Sequence, residues 1–200
     1  LPGTVTANMT NVIGVDGTDV RELNRADYEC RKQINEIVKF LRKYVPGYEV
    51  CYVCDSANSI GVRETRRFAA EYQLHENDIA EARKFEDWVV TKSRFFFDLH
   101  NVLGPGLDSD GAYKAFKQEN CYTIPLRCFL PQKVEGLLLN GRNISGTHKA
   151  HSSYRVMPIC VNMGQAMGVV ASLSIEEKTA PRALDIKEIQ SVLRSQNVDL

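Results

Sequence analysis

The segments Val134-Glu-Gly-Leu-Leu-Leu-Asn-Gly141-Arg142-Asn143-Ile144-Ser145, His148-Lys-Ala-His151, Arg155-Val-Met-Pro158 and Gly164-Gln165-Ala166-Met167-Gly168 decide how this chain is read. The first is an apolar run that stops at a glycine and continues as a polar turn, which predicts a buried strand and its end. Ligands of α/β sheets gather beyond such strand ends. The small residues Gly164, Ala166, Gly168 and Ala171 predict a helix whose backbone can approach a sheet or a planar ligand closely. Pro158 suits the first turn of that helix. A helix N-terminus there offers N–H groups and partial positive charge to an electron-rich atom.

The rest of the composition is that of a globular chain. Of 200 residues, 44% are hydrophobic and 25% charged, enough to bury a core. Lysine plus arginine (25) balances aspartate plus glutamate (25), so no overall field draws in nucleic acid, an anionic membrane or a polyanion. Val156 to Ile175 is the longest uncharged apolar stretch, but Pro158, Asn162, Gly164, Gln165 and Gly168 interrupt it, and it predicts a buried helix and no membrane segment. Leu1-Pro2-Gly3-Thr4 carries no initiator methionine, basic n-region or apolar h-region, which is expected of the interior of a longer product. A soluble, cytoplasmic chain is favoured, with export left open.

Earlier in the chain, Thr4 to Val15 alternates β-branched and polar residues and predicts a strand. Ile34, Ile37, Val38, Leu41 and Val45 recur at helical spacing, predicting an amphipathic helix from about Arg25 to Tyr44, capped by Asn24 and ended by Pro46-Gly47. Its basic residues Arg31, Lys32, Lys39, Arg42 and Lys43 belong to the solvated side. Tyr48 to Val53 predicts a strand, and Cys51-Tyr-Val-Cys54, which overlaps it, has the spacing of a zinc or redox pair. Positions three apart on a strand face opposite ways, so no metal site is assigned and the six cysteines are expected to be free thiols. A short helix is expected around Ile79, a strand buried on both sides at Arg94 to Leu99, a surface loop over Asn101 to Glu119, strands within Cys121 to Leu130 and Gly136 to Leu139, and a helix from Asp185. Gly104-Pro105-Gly106 matches a dinucleotide fingerprint only at its first two glycines, with Ser109 in the third position.

The motifs quoted first closely resemble the terminal flavin-binding motif of the FAD-dependent oxidoreductases. Gly61-Val-Arg63-Glu-Thr-Arg-Arg67, Phe40-Leu-Arg42 leading to Pro46-Gly47, Asp98-Leu-His100-Asn101, Tyr122-Thr-Ile-Pro125-Leu-Arg127 and Leu184-Asp185 are also similar to that family's C-terminal half. The resemblance covers nearly the whole chain. It implies an α/β, mixed α+β architecture: a substrate-domain portion at 1–130, and at 131–200 the return segment of a Rossmann-like FAD domain with a terminal helix. The family's N-terminal Gly-x-Gly-x-x-Gly unit has no counterpart in these residues, so the resemblance implies FAD held jointly with an N-terminal FAD-binding region, and weakly or not at all by this chain alone.

By the same resemblance Gly141, Arg142 and Ser145 lie near the flavin or its diphosphate, and Arg155, Met157, Pro158, Gly164, Gln165 and Gly168 near the isoalloxazine. Oriented N–H groups or an arginine there would stabilise the negative charge of reduced flavin. His151 and Arg155 are the catalytic candidates, His151 being either a proton donor and acceptor or a core histidine. Arg63, His100 and Arg127 are candidates for binding a small organic substrate, with surface ion pairing the alternative for the arginines. The implied activity is flavin-mediated hydride transfer. The alternative is a non-catalytic interaction domain, or a divergent subunit, that no longer binds FAD.

Overall fold

The computed structural model describes residues 3–99 and 120–199. His100 and the loop expected at Asn101 to Glu119 therefore lie outside the described residues. The described chain forms two compact units, one ending at Thr65 and the other beginning at Arg66.

In the first unit, α1 (Val20–Tyr44) carries the expected apolar face, although it begins earlier than its periodicity suggests. Asp19, not Asn24, caps it: its carboxylate accepts from the Arg21 N–H at 2.8 Å. Ala26 is buried, while Ile34, Ile37, Val38 and Leu41 are half-covered. The basic residues are paired along the solvated side, as Arg31 with Asp27, Lys32 with Glu29 and Lys39 with Glu36, the exposed i,i+3 and i,i+4 geometry worth little individually.

The strands expected at Thr4 to Val15 and Tyr48 to Val53 are not formed. Side chains of α1 take some of the backbone groups that a sheet partner would have used. Gln33 both accepts from Asn11 N–H and donates to Asn11 C=O, each at 2.9 Å. Arg42 donates to Cys51 C=O at 2.8 Å. Val50 and Tyr52, in the apolar run read as a strand, are 86% and 75% exposed. All six cysteines are free thiols.

The second unit holds α2 (Glu76–Ala80), β1 (Trp88–Ser93), β2 (Tyr122–Pro125), α3 (His148–Tyr154), α4 (Met157–Glu176) and α5 (Ile186–Ser195). β1 and β2 pair antiparallel through Trp88–Pro125, Val90–Ile124 and Ser93–Tyr122, with irregular register between these pairs. The mixed α+β class holds. A strand buried on both faces exists, but at Trp88–Thr91 instead of Arg94 to Leu99. Beyond Ser93 the chain is irregular, Phe97 and Leu99 enter the core, and the Phe95 carbonyl accepts from Ser153 Oγ of α3 at 2.7 Å. The strand expected at Gly136 to Leu139 is likewise absent. Leu139 is buried and donates its N–H to Phe129 C=O at 2.9 Å, whereas Val134 and Leu137 face solvent.

α4 packs against β1 and α5 and buries Ile159, Met163, Ala166, Met167, Val169, Val170 and Leu173. Among the described residues it is the one helix long and apolar enough to cross a membrane, and this buried face makes it a core helix of the second unit. α5 follows Asp185, where a helix is expected; Asp185 caps it by accepting from Lys187 N–H, and Ile189 and Leu193 seat it in the core.

Candidate functional site

The polar turn and the two helices after it form one continuous piece of structure. Gly141 to Asn143 make a single 3₁₀ turn, with Gly141 at φ +78°, a conformation that favours glycine. Ile144 and Ser145 then dive into the core. Ser145 donates its N–H to Cys128 C=O at 3.2 Å and accepts from Leu74 N–H at 3.1 Å. Ser145 is therefore 2% exposed, and its backbone anchors the turn to the core.

Gly146 is a residue the sequence reading passed over. A Cβ there would lie 2.6 Å from Cε1 and 2.8 Å from the hydroxyl of Tyr154, whose O–H donates to Ile144 C=O at 3.1 Å. Thr147 follows as the cap of α3. Its Oγ1 accepts from Ala150 N–H at 3.1 Å and donates to Glu76 Oε2 at 2.8 Å, tying α3 to α2. That bond, after the one from Glu76's own backbone, holds the Glu76 carboxyl below its ordinary range. A lowered carboxyl adds stability above its unfolded value of 4.5 that is lost as pH falls through the folded one. Thr147→Val should destabilise by about 1–2 kcal/mol at neutral pH, with a smaller loss in acid than at neutrality; equal losses at both, in chemical denaturation, would remove Glu76 from the account.

α3 ends at Arg155, and α4 begins at Met157 with Pro158 in its first turn. Val156, at its N-cap, provides no side-chain cap, and Met157 is 82% exposed. The start of α4 thus presents backbone donors uncapped by a side chain, beside two guanidinium groups. Arg142 and Arg155 both favour the thiolate of half-buried Cys160, although burial is the larger effect and pushes that thiol up. Arg155 also pairs with Asp98, Nη2 to Oδ2 at 2.5 Å, in a partly buried position. Farther along α4, a Cβ on Gly164 would sit 3.5 Å from Asn140 Nδ2, and one on Gly168 would meet nothing within 4 Å. Gly168 and Gln165 line a groove of about 320 Å³ between α4 and α5, across which Gln165 donates to Gln196 at 2.9 Å.

The structure therefore gathers Gly141, Arg142, Arg155, Met157, Pro158 and Gly164 around the turn and the start of α4, with Gln165 and Gly168 on the groove side. His151 is different. It is 2% exposed, with its ring edge-on to Tyr154 at 5.4 Å between centroids, so it contributes to packing behind the turn. Arg127 forms a bidentate pair with Asp87, at 2.7 and 3.2 Å, and lies over the Tyr72 ring, so its fork already grips a carboxylate of its own chain. Arg63 belongs to the first unit, and His100 lies outside the described residues.

A second polar cluster also escaped the sequence. Buried Asp78 accepts from Tyr72 O–H at 2.8 Å, His75 N–H at 2.9 Å and Arg83 Nη1 at 2.9 Å. Burial, then the bond to Asp78, pushes the Tyr72 phenol up to about 12. Among the described residues no cluster of histidine, cysteine or carboxylate side chains could hold a metal ion.

A mixed α+β core thus carries a glycine-marked turn beside a helix start that no side chain caps. The family model described as FAD dependent oxidoreductase matches residues 1–193, and the chain belongs to that family. No curated protein and no solved structure matches it. The family is one of flavin-dependent oxidoreductases, and FAD is its cofactor.

Proposed function

We propose that this chain supplies the isoalloxazine-facing side of an FAD site and takes part in hydride transfer from a small organic substrate. The observation that carries the reading is the start of α4, where backbone donors without a side-chain cap lie beside Arg142 and Arg155. FAD, when bound, supplies the hydride acceptor. This donor set fits it, because charge gathers on the pyrimidine edge of a flavin as it is reduced, and N–H groups or an arginine nearby stabilise that charge. Gly141 leaves open space over the turn, as Gly168 does over α4, so backbone there is accessible to a flat ring system.

In this proposal Arg155 and the first amides of α4 stabilise the reduced cofactor, and Arg142 with Gly141 lies toward its diphosphate. Ser145 and His151, both buried, hold the turn from behind. The 200 residues contain no complete Gly-x-Gly-x-x-Gly fingerprint, so the ADP half of FAD is assigned to an N-terminal region of the same protein. Titrating FAD into this chain and into a longer product containing it, followed by flavin absorbance and fluorescence, tests the proposal. Saturable binding by the longer product, with much weaker binding by this chain, is expected. Binding by neither would end the flavoenzyme reading.

A second reading, a polypeptide-binding domain without flavin, draws on Met157, Val161 and Ile175 of α4, which are 82%, 69% and 77% exposed. Met157 and Val161 lie one helical turn apart, and exposed apolar side chains that form a contiguous patch mark interaction surfaces. The titration that fails for flavin would favour it.

A further inference from the structure

Resting on the reading above, we infer that Asp98 is the positioning residue for Arg155 and through it sets the affinity of the site for flavin. The segment after β1 forms no ladder among the described residues, yet the Asp98 carboxylate reaches the junction of α3 and α4 and takes Arg155 Nη2 at 2.5 Å. The pair is largely withdrawn from solvent, with side-chain exposures of 15% for Arg155 and 21% for Asp98. A long arginine side chain in water samples many rotamers; one held by a partly desolvated carboxylate has few left.

The anchoring is reinforced on both sides. Ser153 Oγ holds the Phe95 carbonyl at 2.7 Å, and Phe97 and Leu99 flank Asp98 in the core, so the carboxylate stands on a fixed backbone. On the other side, Arg155 N–H donates to His151 C=O at 3.1 Å, and the Cys160 thiol donates to Arg155 C=O at 3.4 Å, which pins the arginine's own backbone to both helices. Asp98 touches no flavin in this account. It fixes the direction from which the guanidinium charge reaches the start of α4, and its own negative charge moderates the field that arrives there.

The test is a double-mutant cycle in the FAD-loaded longer product, made with Asp98→Asn, Asp98→Ala, Arg155→Met and both double variants. FAD affinity and flavin absorption are read alongside thermal stability. Arg155→Met is expected to weaken FAD binding about tenfold, roughly the worth of one charge-assisted bond. Asp98→Ala should weaken it several-fold, and in the Arg155→Met background neither Asp98 change should weaken it further. If Asp98→Asn and Asp98→Ala lower only thermal stability, or if their effects on flavin add to that of Arg155→Met, Asp98 is a structural residue and the inference falls. A wild-type protein that takes up no FAD, or an Arg155→Met protein that binds it normally, overturns the functional reading itself and this inference with it.

Discussion

Gly146→Ala is expected to destabilise the second unit by about 2–3 kcal/mol, at the upper end of what overpacking one methyl costs. The new Cβ would stand 2.6 Å from a ring carbon of Tyr154, a separation real Cβ atoms essentially never show. Relief requires one side to move, and neither can do so cheaply. Tyr154 is fully buried and its hydroxyl donates to Ile144 C=O, while the backbone next to Gly146 is pinned by Leu74: Leu74 N–H donates to Ser145 C=O, and Thr147 N–H to Leu74 C=O at 2.9 Å. Removing the hydroxyl with Tyr154→Phe relieves only the 2.8 Å contact with oxygen, so the double variant should remain destabilised. Because the same turn leads into α3, the variant should also lose FAD affinity in the longer product. Unfolding free energies from denaturation within a few tenths of a kcal/mol of wild type would contradict the packing described around Tyr154.

The second large effect is expected at Asp78. Asp78→Asn replaces a buried carboxylate that accepts from three donors, one of them the Arg83 guanidinium, by an amide that must turn an N–H₂ toward one of them. A loss of about 2–3 kcal/mol follows from the strength of hydrogen bonds to charged groups. Tyr72 supplies an independent readout. Its phenol is raised from 10.0 to about 12, first by burial and next by the bond to Asp78, so in the variant it should titrate lower yet stay above its ordinary value. The sign follows from linkage: a folded value above the unfolded one contributes stability that is fully present below pH 10.0 and lost as pH rises toward about 12. Asp78→Asn should shrink that alkaline loss. An unchanged phenol titration, followed by ultraviolet difference absorbance, would mean that Asp78 does not govern Tyr72.

What the sequence made legible were the features written in local periodicity and local chemistry. The apolar face of α1, its end at Pro46-Gly47, the short helix around Ile79 and the start of α5 at Asp185 each depend on residues within a few positions of one another. The same holds for the candidate site, whose turn glycine, proline and small-residue helix lie within one stretch of chain. Of the expected strands, only the one within Cys121 to Leu130 is formed among the described residues, as β2. Thr4 to Val15, Tyr48 to Val53 and Gly136 to Leu139 have strand-like composition, but a strand needs a partner from elsewhere, and in the first two Gln33 engages Asn11 and Arg42 engages the Cys51 carbonyl instead. Conversely β1 exists because Tyr122–Pro125 returns to it from some thirty residues away. The contacts of Gly146, Asp78 and Asp98 were not legible for the same reason. Each owes its importance to a side chain brought in by folding, namely Tyr154, Arg83 with Tyr72, and Arg155.

The central claim is that the turn at Gly141 and the start of α4 face the flavin. Backbone amide exchange of the longer product, compared with and without FAD, tests it most directly. The account predicts new protection over residues 141–145 and 155–164 on FAD binding, with α1 unaffected. Protection confined to the groove between α4 and α5, or absent from both segments while FAD is bound, would contradict it.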